Sequence, residues 1–397
     1  MSSAVTDGLG RSPLRLPDLV GRWSALRRPF RHLPRWAALA TLALAVLACI
    51  WAVPAEHRYG HRASSEIHKR LSRGDRRDFD LYKTIDHRVA AGENYYHAAL
   101  AEQRKSHYPT KPFVAVRLPT LAWATVIVGL TGWRIVAGVL WLITVLGMIW
   151  FTAGRVHWVE RIGAALAVAV FGAGAWLTEV GLSHEIIAGL SLSAALVLYR
   201  PWRWWPSLLL AACALAIREL ALPFVLLWAA FAASQRRWRE FAGLAALVTM
   251  FAVGLALHAQ MVAAYRLPGD LPSQGWSGLQ GPVLALFGLM SVASLGKLPG
   301  WLDLPFTLPL WLGPLLALLP LFGWAALGGR RGLFATLWFV GYFMIVSIFA
   351  RRMNFYWLSL VLPAYGAGLA FVPRALWDLV SALRRRPHAA SAGSPAA

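Results

Sequence analysis

Residues 36–53 read WAALATLALAVLACIWAV, eighteen positions without a charge, and the arm before them carries Arg11, Arg15, Arg22, Arg27, Arg28, Arg31 and Arg35. A helix that crosses a bilayer needs about 20 mostly apolar residues. Arginines flanking such a run stay on the cytoplasmic side. The stretch therefore reads as a first span with a basic cytoplasmic arm, residues 1–35. Val53-Pro54-Ala55 has the small-residue look of a signal-peptidase site. The long basic arm and the later apolar runs favour a retained anchor.

Composition carries the same reading over the whole chain. Of 397 residues, 58% are hydrophobic and 14% charged, against about 25% charged in an ordinary soluble domain. The formal charge of +21 does not point to nucleic acid, because the arginines sit in short clusters between apolar runs. Many of the 21 Trp lie near the ends of those runs, as interfacial anchors do. Cys49 and Cys213 both fall inside apolar segments, so neither a disulfide nor a cysteine metal site is indicated.

Further runs cover 133–153, 158–177, 185–199, 205–217, 220–234, 240–258, 304–327, 332–349 and 355–373. Arg155 with Arg161, Arg200 with Arg203, Arg236 with Arg237 and Arg239, Arg330 with Arg331, and the tail with Arg374 and Arg384 to Arg386 all fall on alternate loops. One path of about ten spans puts each cluster, and both termini, in the cytoplasm. The expected fold is thus an all-α integral membrane protein, with a membrane domain over 36–374 and a basic tail over 375–397. Its first extracytoplasmic loop, residues 55–116, is large and polar. Residues 118–130 and 282–296 are read as short helices at the outer interface, and twelve spans is the alternative. Spans 205–217 and 220–234 are short at about 1.5 Å per residue, as for tilted helices that meet at a recessed turn. There is no inverted internal repeat of the transporter kind.

The first loop holds Asp78-Phe79-Asp80-Leu81-Tyr82, Asp86, Gly92-Glu93-Asn94-Tyr95-Tyr96, then Tyr108-Pro109 and Arg117-Leu118-Pro119. Asp80 and Tyr82 lead into a short helical stretch that Ala91-Gly92 would end. A carboxylate just outside a span can take a proton from a hydroxyl within hydrogen-bond reach. Seven Lys or Arg from Lys69 to Arg88 equally allow ordinary solvated loop charges. Arg218-Glu219 interrupts an apolar run, where an unpaired charge is costly and points to function, or to a mutual ion pair. His184-Glu185, with Glu179 nearby, opens another outer loop, but one His and two carboxylates lack metal-ligand spacing. Arg351-Arg352 precedes Asn354-Phe355-Tyr356-Trp357 on the outer side, against the positive-inside trend. A lipid-linked phosphate or a lipid headgroup would answer that basic pair. His258 and Gln260 read as interfacial, and Lys297 and Asp303 as loop-shaping. No phosphate-cradling glycine loop, Gly-x-Ser-x-Gly elbow or His-Glu-x-x-His helix occurs.

The order Asp, spaced Tyr, Gly-x-x-Tyr-Tyr, Tyr-Pro and Arg-x-Pro after a first span resembles the polyprenyl-phosphate-dependent glycosyltransferases of the GT-C fold. It is closest to their bacterial mannosyl- and arabinosyl-type branch, which has many uncharacterised members. The resemblance implies Asp80 as catalytic base, with Asp78 as the competing choice and Asp86 a weaker one. It also implies that Arg218, and Arg351 or Arg352, hold the donor phosphate. Tyr82, Tyr95, Tyr96, Arg117, His184, Glu185, Glu219 and Tyr356 are then candidates for substrate contact. The implied partners are a polyprenyl-phosphate-linked sugar, membrane lipids and a glycan, lipid or protein acceptor, at the outer face of the cytoplasmic membrane. The implied scheme calls for no cofactor and is compatible with a divalent metal. Two other classes are weighed: a transporter, which predicts symmetry and mid-membrane charges, and a non-catalytic subunit of an envelope-assembly complex.

Overall fold

The computed structural model describes residues 21, 24–72, 78–275, 278–294 and 312–385. Arg11, Arg15, Arg22, Lys297, Asp303 and Arg386, and the start of the 304–327 run, lie outside the described residues. Fourteen α-helices and several short 3-10 pieces account for the fold among the described residues. Among the described residues there is no sheet, only two isolated bridges.

Among the described residues, four helical stretches are long and apolar enough to cross a membrane: Arg35–Tyr59, Phe113–Thr152, Trp238–Ala264 and Gly329–Phe349. A fifth arises if the bent pair Arg352–Leu360 and Leu362–Arg384 is one span. Exposed Trp36, Leu39, Leu47 and Ile50 on the first of them are what lipid contact allows and water does not. The chain is built as a membrane protein.

Several expected boundaries shift. Helix α1 (Arg35–Ser72) does not stop at the apolar run but continues through Pro54 into the polar segment. That segment is largely helical, with α2 (Asp78–Ala90) and α3 (Tyr95–Lys105). Residues 118–130 and 133–153 form one element, α4 (Thr120–Thr152), broken at Gly129, whose φ of 66° and ψ of 173° only glycine adopts freely. The 158–177 run is α5 (Trp158–Phe171) plus a 3-10 turn, Ala173–Trp176.

Helix α6 (His184–Leu198) is buried along almost its whole length. Helices α7 (Trp205–Ile217) and α8 (Leu222–Ser234) meet at Arg218, which is extended, and a 3-10 turn Glu219–Ala221. Then follow α9 (Trp238–Ala264), α10 (Pro282–Ser294), α11 (Leu312–Leu327) and α12 (Gly329–Phe349). The 355–373 run is not a straight span. It is a 3-10 helix Arg352–Leu360, α13 (Leu362–Gly366), a 3-10 turn Ala367–Phe371 and α14 (Val372–Arg384), with a 73° bend. Asp378 on α14 is fully buried and pairs with Arg28 of the basic arm at 2.5 Å.

Within lipid the hydrophobic drive between helices is weak, so close packing and small residues must hold them together. The centre shows both. Trp324, Phe339, Tyr365, Phe371 and Phe151 stack edge-on at 5.2–6.1 Å. A side chain at Gly323 would collide with the Gly368 carbonyl, so both glycines permit backbone contact between α11 and the broken C-terminal segment.

Candidate active site

Helices α2 and α3 form a small polar layer at one end of the bundle. Asn94 caps α3 by accepting from the Tyr96 and His97 amides. Arg88 clamps the α2–α3 turn by donating to Glu93 at 2.6 Å and Glu102 at 2.7 Å. Hydrogen bonds from Arg88 and His97 hold the Glu93 carboxyl down at about 2. Leu81, Ile85, Tyr95, Tyr96, Ala99 and Leu100 make a separate apolar cluster under this layer.

Three contacts tie the layer down. The Tyr95 hydroxyl donates to the Arg117 carbonyl at 2.8 Å. Gln103 Nε2 donates to the Ala115 carbonyl at 3.1 Å. Arg104 donates to Asp270 at 2.5 Å and to the Tyr265 carbonyl at 2.6 Å. The Arg104 hydrogen bond is the first cause of the Asp270 carboxyl lying at about 2. His258 is a correction to the sequence reading: it is buried, 3.1 Å from the Val116 carbonyl and packed on Tyr96 and Phe113, while Gln260 is exposed.

Under the α2 end lies a buried charge cluster drawn from four parts of the chain. Arg218 is 1% exposed. Its Nε lies 2.8 Å from Glu185 Oε1, and its Nη1 contacts Glu219. Arg117 reaches the same Glu185 oxygen at 3.4 Å and donates to the Tyr82 and Tyr356 hydroxyls at 3.1 and 3.3 Å. Arg218 also lies over the Trp357 ring, 5.6 Å from its centre, and Tyr342 fixes that segment by donating to the Trp357 carbonyl at 3.0 Å. His184 stacks at 5.0 Å on Tyr82.

The charges of two arginines and two glutamates balance, yet the hydrogen bonding does not. Arg218 Nη2, Trp357 Nε1 and His184 Nδ1 are buried without a hydrogen-bond partner among the described residues. Buried polar groups left this way cost roughly 1–3 kcal/mol each. Unmet donors gathered around paired arginines suit an acceptor-rich anion.

The two loop carboxylates part company. Asp78 is half-buried and accepts from the Tyr108 hydroxyl at 2.5 Å. Burial raises the Tyr82 hydroxyl pKa, Arg117 opposes that, and the charge of Asp78 adds to the rise. Asp80 is exposed, and its backbone carbonyl accepts from Thr84. The reason is helical: Asp78, Tyr82 and Ile85 share one face at i, i+4, i+7, whereas Asp80 is turned away by two residues. Asp86 stays on the inward face. It lines a small pocket with Tyr82, Tyr95, Leu182 and His184, and burial lifts its carboxyl to about 7 against a hydrogen bond from Thr125.

The structure thus brings together Tyr82, Arg117, His184, Glu185, Arg218, Glu219 and Tyr356, with Asp78 at the edge. Tyr95 and Tyr96 are buried in the loop cluster, Tyr95 reaching the Asp86 pocket. Arg352 lies towards α1. In a 3-10 helix residues three apart share a face, so Arg352 follows Phe355. Phe355 packs on Phe287 of α10, and the Arg352 guanidinium lies 5.7 Å from the Tyr59 ring of α1. No group of three or more His, Cys, Asp or Glu is placed to hold a metal among the described residues.

No family model, curated protein or solved structure matches this chain. The site therefore stands on its own chemistry. Asp86, Trp357 and Tyr342 are the members that sequence reading passed over or ranked low. Asp86 had a signal, its i+4 spacing from Tyr82. Trp357 had its place in the stretch after the basic pair Arg351-Arg352, and Tyr342 had none beyond being an aromatic residue in an aromatic-rich chain.

Proposed function

We propose that this protein transfers a glycosyl group from a polyprenyl-phosphate donor to a hydroxyl acceptor, with inversion, at the outer face of the cytoplasmic membrane. The observation that carries the reading is the set of buried, unpartnered donors beside paired arginines: Arg218 Nη2 and Trp357 Nε1, with His184 Nδ1 near by. A phosphate supplies several acceptor oxygens, and its charge grows as the sugar leaves, so such donors stabilise the transition state more than the ground state. The ten-span topology belongs to the same proposal. It is supported by the alternation of arginine clusters, which sets the α2–α3 layer outside.

In this scheme the acceptor oxygen attacks the anomeric carbon as the bond from that carbon to the phosphate oxygen breaks. The phosphate keeps the electron pair, held by Arg218 and Arg117. The hydroxyl proton passes to a loop carboxylate. Asp78 is favoured over Asp80, because it lies on the Tyr82 face of α2. Glu185, shared between both arginines, orients them. The lipid tail of the donor delivers it laterally to the cluster, which removes part of the search.

The test is transfer of label from radiolabelled polyprenyl-phosphate sugars in membranes that hold the wild-type chain or Asp78→Asn. A labelled product with wild type alone supports the reading. No transfer across a panel of donors overturns it, and solute flux then becomes the assay.

A further inference from the structure

Away from the charge cluster, a groove of about 470 Å³ runs along the second half of α4. Ile135, Val139, Leu142, Trp141 and Trp176 line it. The two Trp rings meet edge-on at 5.3 Å, and Trp141 is fixed by donating to the Ala169 carbonyl at 3.0 Å. The floor is Gly138, where an added Cβ would come within 3.5 Å of the Trp176 ring. A Cβ there is in ordinary contact with the ring, so only a longer side chain would project into the groove.

Its two ends differ. Thr131 and Arg134 stand at one end, one turn from Ile135 and Gly138, and everything below them is apolar. Arg134 is exposed, and no described carboxylate pairs with it. From Arg134 to Leu142 is eight residues, or about 12 Å of helix rise. One leaflet of hydrocarbon is half of about 30 Å. A single cation above an apolar channel of that length matches an anionic headgroup with one chain below it. A partner helix would need an acidic residue at the same depth inside lipid, which is costly.

We infer that this groove binds one acidic phospholipid, its phosphate on Arg134 and one acyl chain between the Trp141–Trp176 pair and Val139. The site is separate from the proposed donor site and does not depend on catalysis.

The experiment uses the full chain in detergent with dioleoyl phosphatidylglycerol or dioleoyl phosphatidylcholine, bound lipid being counted by native mass spectrometry. Wild type should retain one phosphatidylglycerol more than Arg134→Gln does, with about fivefold weaker retention in the variant. Arg134→Lys should restore most of the difference. Gly138→Leu, which fills the floor, should lose that one lipid while keeping the wild-type melting temperature. The inference is overturned if Arg134→Gln retains phosphatidylglycerol as wild type does, or if Gly138→Leu loses nothing. Equal retention of both lipids at this site also overturns it, as does a protein dimer that excludes lipid from the groove.

Discussion

Arg218, at the break between α7 and α8, lies with its Nε 2.8 Å from the carboxylate of Glu185 in the first turn of α6. Both side chains are almost completely buried. The same carboxylate oxygen also faces Arg117, from the segment before α4. One glutamate therefore fixes two guanidinium groups that would otherwise repel each other, and it sets the spacing between them. Buried ion pairs contribute little net stability, but breaking one exposes the cost of the charge left behind.

Asp78→Asn should lower transfer by 10²- to 10⁴-fold, the usual contribution of a general base, without changing extraction into detergent. Asp80→Asn should retain most activity, because its carboxylate faces solvent. Initial rates with a labelled donor check both. Full loss with Asp80→Asn alone would move the base there and refute the assignment by helical face.

Arg218→Gln should be destabilising by about 3–5 kcal/mol, since it takes the contacting cation from Glu219 and leaves Glu185 with Arg117 alone. The double variant Arg218→Gln, Glu185→Gln should recover part of that loss in thermal unfolding. Arg218→Lys keeps the charge but not the forked donor set. It should fold and weaken donor binding by more than tenfold, read from the donor concentration dependence.

Asp86 carries the clearest pH effect. Its carboxyl titrates at 3.8 in an exposed reference state and at about 7 in the folded loop, burial being the first cause. Between those values the folded form binds more protons than the unfolded one. Stability therefore falls as pH rises through this window, and the full penalty applies above about 7. Asp86→Asn should remove the penalty, at most about 4 kcal/mol for a shift of this size. The melting temperature of the variant should exceed that of wild type at pH 8, and the gap should shrink towards pH 5. A gap that does not change with pH would refute the assignment.

The Arg104–Asp270 pair joins α3 to the segment after α9, and Leu271 and Ser273 add backbone bonds to Thr110 and Lys111 at 3.0 and 2.6 Å. Asp270→Asn should loosen this junction by about 1–3 kcal/mol, the range for a charge-assisted hydrogen bond. Its carboxyl lies at about 2 against a reference of 3.8. The stabilisation is present above 3.8 and is lost as pH falls through about 2. Hydrogen exchange on α3 should quicken in the variant at pH 7, with α6 unchanged.

Residues 36–53 and 240–258 disclosed their helices because long apolar runs have one stable answer in a bilayer: backbone groups must bond within the segment. The polar stretch after residue 55 was harder. The helical stretch that Asp80 and Tyr82 open and Ala91-Gly92 ends is α2, whereas α3, held by local caps and clamps such as Asn94 and Arg88, has a short amphipathic pattern with no such stop signal. The choice between Asp78 and Asp80 depends on where that helix begins, since two residues of register turn a side chain to the opposite face.

The sequence by itself determined that this is a helical membrane protein, with charged residues concentrated at Arg117, His184-Glu185 and Arg218-Glu219. Apolar length and charge placement act locally and need no fold to be read. Only the tertiary structure decided that Glu185 lies between Arg117 and Arg218, and that Tyr356 and Trp357 join them while Arg352 turns to Tyr59. Arg117 and Tyr356 alone are 239 positions apart. Their meeting depends on how α4, α6 and the broken C-terminal segment pack, which no local pattern encodes.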